Sequence, residues 1–338
     1  MNKATKAKAA RFGYDVVTIG AATRDVFVKS RHFDKIKSTA APDGFEACLP
    51  MGAKIELDEI AFETGGGATN AATTFARFGF KTGCIARIGH DVGGKEIEDL
   101  LKREGIDKNL VQYDPKLSTG YSIILLAGAG HRAILTSRGA ARKIAEKEIP
   151  WEKMKTHWIY VTSLGGNEKL LKDIFSFAKK HLVKIAWNPG GAELEMGMKK
   201  LLPYLMQSDV LIMNKEEAGL LSGLPSRHVD GLLKKIGALP RTALVITDGE
   251  HGAYLTARGA VWHAAVMPGK AINTTGAGDA FGSAFTSGLM REGDLDAALK
   301  MAALNSHGVV THMGATAGIL ESYPSPQKRA QAKVKQLR

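Results

Sequence analysis

Short apolar runs punctuate the chain at 14–20 (YDVVTIG), 82–89 (TGCIARIG), 156–163 (THWIYVTS), 183–188 (VKIAWN), 208–214 (SDVLIMN) and 242–248 (TALVITD). Runs of this length and composition predict strands buried on both faces. Helical spacing recurs between them, near 68–78, 92–104, 167–181, 197–206, 214–222 and 229–238, and twice more near 277–291 and 294–309. Alternating buried strands and helices predict an α/β fold, with a parallel sheet covered on both faces. No fixed internal repeat is present.

Two segments break the rhythm. In 24–63, DVFVKS alternates, a loop with Pro42, Gly44, Pro50 and Gly52 follows, and KIELDEIAFE alternates again. In 113–136, TGYSIILLAG and HRAILT are strand-like. Neither contains a crossover helix, so both suit an antiparallel sheet beside the main one. Such a sheet could be a lid that keeps water from a reacting group, or edge strands packed on the core.

Composition changes this picture little. A chain of 338 residues can bury a large core as one α/β domain or two smaller ones. Hydrophobic content of 44% and charged content of 24% are those of an ordinary globular protein. Two cysteines, Cys48 and Cys84, make no disulfide framework. The basic start, MNKATKAKAARFG, lacks a signal-like apolar stretch, and no run approaches a membrane span. A cytoplasmic protein without membrane contact is expected. The net charge of +12 could attract nucleic acid or anionic metabolites. Much of the excess lies in two expected tails, 1–13 and 326–338, flanking a domain at 14–325. The last segment reads as a solvated helix or frayed end. Aromatic residues do not interleave with the basic runs, so nucleic-acid binding is not expected.

The richest chemistry lies in 273–289, NTTGAGDAFGSAFTSGL. Gly276, Ala277 and Gly278 lead into a helix whose first turn carries Asp279. Free amides and the dipole at a helix start attract anions, and glycines allow close approach. With Asp279 as proton acceptor, the arrangement suits phosphoryl transfer, although a dipole-complementing Asp after a turn would look the same. The spacing is not a dinucleotide fingerprint, which argues against an oxidoreductase.

Other candidates are compatible with that chemistry. Gly65, Gly66 and Gly67 precede a helix containing Asn70, either as open backbone for a polyhydroxyl ligand or as a tightly packed loop. Asp25 lies beyond the first strand's end, where ligands of open α/β sheets gather. Asn214 and Glu217 form a capping-box pattern after a strand, and Glu217 could also hold magnesium-bound water. The 89–96 run GHDVGGKE fails as a P-loop because Glu96 replaces the metal-binding hydroxyl. The histidines lack metal-ligand spacing and no serine sits in a nucleophile elbow, which argues against a zinc hydrolase or serine esterase.

Together these residues resemble the ribokinase-like (PfkB) family of carbohydrate and nucleoside kinases, over about 14–320. Gly65 to Asn70, followed by Ala72, Gly79 and Gly89, carries the N-terminal motif; 274–281 carries the more specific C-terminal one. Asn214 and Glu217 match the family's N-x-x-E element, and Thr247, Gly249 and Gly252 its nucleotide-side hairpin.

The resemblance implies a ribokinase-like three-layer α/β/α domain with a mostly parallel central sheet and a small β-sheet lid. It implies ATP with Mg2+, an anion hole from Gly276, Ala277 and Gly278, and Asp279 as base. Asp25, Gly65, Gly66 and Asn70 would bind the acceptor. Asn214, Thr247, Gly249, Gly252, Thr275 and Asn305 would lie along the nucleotide. Departures accompany it: Asn273 stands where many relatives have Asp, which leaves potassium (K+) activation open. The strand end 163–166 lacks ribokinase's acidic residue, and 30–52 is longer than a usual lid connection.

The expected function is phosphorylation of a small sugar's hydroxyl. A nucleoside kinase of the same fold is the nearest alternative, since Asn188, Pro189 and Gly190 could serve either acceptor. A phosphosugar kinase needs cations at the acceptor phosphate, with Arg87 and Lys95 as candidates. A silent ligand sensor or nucleic-acid-associated protein using the tails is a rival from another class, opposed by the intact Asp279. Lids of this kind can pair between subunits, so a homodimer is a further expectation.

Overall fold

A computed structural model describes residues 13–39, 44–127, 132–152 and 154–338. Its centre is a nine-stranded sheet. Thr82–Ile85, Tyr14–Ile19, Thr156–Val161, Lys184–Trp187, Val210–Asn214 and Ala243–Thr247 lie side by side and parallel. Three antiparallel strands, Ala253–Ala257, Ala260–Ala264 and Val334–Gln336, extend the sheet beyond the last of these.

Side-chain alternation along the parallel strands builds both layers. Val17, Ile19, Ile159, Val161, Leu211 and Met213 face one core, shared with helices such as Glu168–His181 and Val229–Ile236. Val16, Tyr160, Val210, Ile212 and Val245 face the other core. That second core is closed by helices Gly67–Arg77, Ala277–Glu292 and Leu295–Val310. The α/β/α arrangement therefore follows from continuous apolar strands, as their patterning predicts.

The two excursions meet in a four-stranded sheet, ordered Arg132–Ser137, Gly120–Leu126, Thr23–Lys29, Glu59–Gly65. Each excursion pairs antiparallel within itself, but Thr23–Lys29 and Gly120–Leu126 join in parallel. The expectation of a wholly antiparallel sheet is corrected there. Between those strands the chain runs through two helices and Thr82–Ile85, which acts as the crossover a parallel pair needs. The segment expected as a loop after Ser30 contains a hairpin, Asp34–Lys37 with Phe45–Cys48. Residues 40–43, Pro42 among them, lie outside the described residues. Phe33 and Ile55 pack from this insertion onto Val26, Val28 and Leu125.

The C-terminal segment also needs correction. The basic segment expected as a solvated helix or frayed end forms the short helix Pro326–Arg329 but then the edge strand Val334–Gln336. Arg329 is buried against Glu292 and Tyr323, and Ala332 is buried too. Abundant Lys and Arg hid an anchoring pattern of only a few side chains, while backbone pairing is indifferent to charge. Residues 1–12, the basic start, are outside the described residues.

Candidate active site

The carboxyl ends of the parallel strands bring the sequence candidates together. Helix Ala277–Glu292 begins from Gly276, whose φ of 80° lies in the left-handed region. A Cβ there would sit 2.7 Å from that of Ala315, so conformation and space both require glycine. Gly278 differs: a Cβ on it would meet no protein atom within 4 Å. Its amide lies in the first turn, at the positive end of the 16-residue helix. The buried hydroxyl oxygen of Thr275, just before the turn, has no hydrogen-bond partner in the protein.

Asp279 receives a 2.9 Å hydrogen bond from Nδ2 of Asn70. Burial raises its carboxyl's pKa, the Asn70 bond lowers it, and the nearby charge of Asp25 adds to the rise. The other polar atom of Asn70, Oδ1, is buried without a partner in the protein. Asp25 is itself buried, and its pKa is raised by that burial, although its Oδ1 accepts 2.9 Å from the Thr23 hydroxyl.

The glycines before Asn70 explain how Asp25 comes so close. A Cβ on Gly65 would lie 1.9 Å from Oδ2 of Asp25. At Gly66, φ is 95° and a Cβ would lie 2.4 Å from the carbonyl oxygen of Ala21; at Gly67 it would lie 2.8 Å from the Thr162 side chain. The packed-loop reading therefore holds at all three glycines, and one of the contacts delivers a candidate acceptor ligand.

On the neighbouring strands, Asn214 and Thr247 are register partners at the carboxyl ends. Asn214 and Glu217 form the reciprocal capping box with both bonds at 2.8 Å. Burial is the main reason the Glu217 carboxyl rises to about 7, and the Asp279 charge contributes. Gly249 and Gly252 adopt φ of 52° and 90° in the turn linking Ala243–Thr247 to Ala253–Ala257. Asp248 in that turn pairs with Lys215 at 2.5 Å.

Asn305 must be reassigned. It is fully buried, donates to the Ala280 carbonyl at 2.9 Å and to the Thr74 hydroxyl at 3.3 Å, and accepts from the Leu320 amide at 3.0 Å. With both ends of its amide engaged, it ties three helices together and presents nothing to a nucleotide. Asn273 is buried as well, and its Oδ1 orients the Thr275 amide at 3.0 Å. Arg87 is held by Asp114, Gln112 and Glu148, while Lys95 pairs with Asp99 on an exposed helix face. At the rejected P-loop, Asp91 fills the helix start, accepting from the Gly94 amide at 2.8 Å and from Thr119.

Two contributors escaped the sequence reading. Fully buried Glu193 accepts from the Ser163 hydroxyl and the Leu164, Gly166 and Gly190 amides at 2.7–2.9 Å. The strand end that seemed to lack an acid is thus shaped by one about thirty positions later, which no local spacing reveals. Arg132, on the four-stranded sheet, hydrogen-bonds the Thr274 hydroxyl beside the glycine turn. A cation heading the strand RAILTS was the available signal.

Residues 35–322 match the family described as pfkB family carbohydrate kinase. A deoxyribokinase of Salmonella typhi is 27% identical over 279 residues, covering 81% of this chain and 89% of that protein. A solved Arabidopsis thaliana ribokinase, complexed with ribose and ATP, is 20% identical with a TM-score of 0.73, covering 95% of this chain and 98% of that one. A Burkholderia thailandensis nucleoside kinase, in complex with inosine, is 18% identical with a TM-score of 0.72, covering 93% and 96% respectively. The chain belongs to the pfkB family of carbohydrate kinases, and its fold is that of ribokinase.

Proposed function

We propose that this pfkB family kinase transfers the terminal phosphoryl group of ATP to a hydroxyl of a small free sugar. One observation carries the reading. At the start of helix Ala277–Glu292, an open Gly278, a partnerless Thr275 oxygen and a raised Asp279 carboxyl converge, with Asn70 donating to Asp279 and the Asp25 charge close enough to act on it. Packing accounts for Gly276 but not for the space at Gly278, as expected where an anionic group approaches the backbone.

In this mechanism Asp25 and Asn70 hold acceptor hydroxyls, with the free Oδ1 of Asn70 accepting one of them. Asp279 takes the proton of the attacking hydroxyl as its oxygen bonds to the terminal phosphorus, and ADP departs with the electrons of the broken P–O bond. Amides at the Gly276–Gly278 turn stabilise the migrating group. Asn214, Thr247, Gly249 and Gly252 flank the nucleotide. The four-stranded sheet acts as a lid, and Arg132 brings a positive charge to Thr274.

The donor set fits magnesium. Burial and the Asp279 charge both disfavour ionised Glu217, so a nearby cation would relieve that pressure. Magnesium usually keeps several of its waters and rests on one or two carboxylates together with phosphate oxygens. Magnesium, held through water by Glu217, would offset phosphate charge. No helix among the described residues is long and apolar enough to cross a membrane. We place the enzyme in the cytoplasm, in keeping with its unpaired Cys48 and Cys84.

The test is ATP consumption in parallel screens of free sugars, phosphosugars and nucleosides. Turnover with a free pentose or hexose is expected. Turnover with nucleosides alone would transfer the assignment to the nucleoside branch, and engagement of Arg87 and Lys95 makes phosphosugars the weakest arm. No ATP consumption with any of the three classes would sink the kinase proposal.

A further inference from the structure

A second cavity lies at the opposite end of the sheet. It encloses about 420 Å³ between helix Val229–Ile236, the loop before Ala243, the turn after Ala257 and Arg338. Strand Ala243–Thr247 separates it from Thr247 of the proposed nucleotide site, over roughly 15 Å of extended chain. The two sites cannot share one small ligand.

Its charged lining side chains are all cationic. Lys234, Arg241, Arg258 and Arg338 contribute cations, Thr242 and Thr256 contribute hydroxyls, and no Asp or Glu is among the lining residues. Arg338 has one acidic neighbour, Asp230 at 3.3 Å, which lies outside the lining. Asp209 acts on Arg241 through charge from the other side. Cations gathered around one concavity raise the local concentration of anions there.

The backbone supplies an independent observation. Ala257 and Ala260 pair across a two-residue turn formed by Arg258 and Gly259, with φ of 50° and 84°. Such a turn ordinarily takes Asn or Gly at the first position, because a larger side chain resists positive φ. Arg258 and Leu182 are the only non-glycine residues with positive φ among the described residues. The chain thus keeps a guanidinium at the cavity's lip where backbone preference opposes it.

We propose that this cavity binds a small phosphorylated molecule bearing at least two negative charges. Its volume falls within the range of ligand pockets, and it has room for a sugar phosphate or mononucleotide. The shared chemistry is a phosphate ester held by forked guanidinium groups, with threonine hydroxyls as supporting donors.

The test uses the whole chain with its nucleotide site saturated by a non-hydrolysable ATP analogue. Pyrophosphate, ribose 5-phosphate and AMP are titrated calorimetrically into wild type and an Arg241→Ala/Arg258→Ala variant. Wild type should bind at least one of the three with one-to-one stoichiometry, and the variant should bind it at least tenfold more weakly. Saturable turnover and the thermal midpoint should be unchanged in the variant, which separates loss of this site from failure of the kinase reading or of folding. Should the variant unfold, Arg258→Gly restores the turn's preferred residue and must show the same weakening. Absence of binding to wild type, or equal affinity in a folded variant, overturns the proposal. So does tighter binding of a short DNA duplex through the same two arginines.

Discussion

Two three-residue segments, Gly65-Gly66-Gly67 and Gly276-Ala277-Gly278, flank the proposed reaction centre, and their glycines are there for different reasons. In Gly65–Gly67 every added Cβ would meet protein: the Asp25 carboxylate, the Ala21 backbone or the Thr162 side chain. Around Gly276–Gly278 only the first glycine is demanded by packing and by positive φ. The space at Gly278 is open, as the proposed anion site requires. One triplet is thus part of the core's fit, although it happens to deliver Asp25; the other leaves open the space where the proposed phosphate would approach. Similar-looking motifs divide into architecture and contact once the neighbours of each absent side chain are known.

The largest expected effect tests the second triplet's partner. Asp279→Asn keeps the size of the side chain and can still meet Asn70, yet cannot take a proton. Turnover should fall on the order of 10²–10⁴-fold with ATP affinity retained, as measured by steady-state rates alongside nucleotide titration. Near-normal turnover would remove Asp279 from the chemistry and with it the contrast between triplets. Next comes Gly278→Ala. The fold should hold or gain up to about 1 kcal/mol, because alanine suits a helix better and its Cβ meets nothing. Turnover should fall roughly 10–100-fold as the methyl crowds the anion and disturbs its donors. Loss of stability without loss of rate would make this glycine architectural like the others.

Much of this contrast was legible in the sequence, for identifiable reasons. The parallel strands were visible because burial on both faces leaves continuous apolar runs, as in VLIM before Asn214. The C-terminal motif was visible because its glycines and Asp279 lie within four positions of one another. What stayed hidden depended on distant partners. Glu193 shapes a strand end about thirty residues earlier, and Asn305 proved to be a core tie only when Thr74, Ala280 and Leu320 were found around it. The strand Val334–Gln336 was masked by lysines because edge pairing uses backbone, which composition does not display.

A smaller effect sharpens the first triplet. Gly66→Ala must accept φ of 95° and a Cβ 2.4 Å from the Ala21 carbonyl, so the loop has to move. We expect a loss of about 2–3 kcal/mol in unfolding free energy, read from urea denaturation. Acceptor KM should rise with it, since the helix carrying Asn70 starts there, while nucleotide affinity should stay. An unchanged denaturation midpoint would contradict a packing origin for this triplet.

The smallest effect concerns the acid that the two triplets do not contact. Glu217 titrates near 7 in the fold against an ordinary value of 4.5, mainly because of burial. Between those values the folded protein holds more protons than the unfolded chain, so rising pH erodes stability through that window and the loss persists above it. Glu217→Gln removes the titration while its side-chain oxygen can still accept from the Asn214 amide. Without ligands the variant should therefore match wild type near pH 4.5 and be more stable by on the order of 1 kcal/mol at pH 8, the rise being discounted for partial exposure. Its magnesium-dependent turnover should be lower at pH 8, because a neutral amide attracts metal-bound water less strongly than a carboxylate does. Stability that gains nothing at pH 8, measured by thermal unfolding across the range, would mean that Glu217 is ionised at little cost. The acid would then serve the capping box alone, and the reaction centre would reduce to Asp279 and the open turn before it.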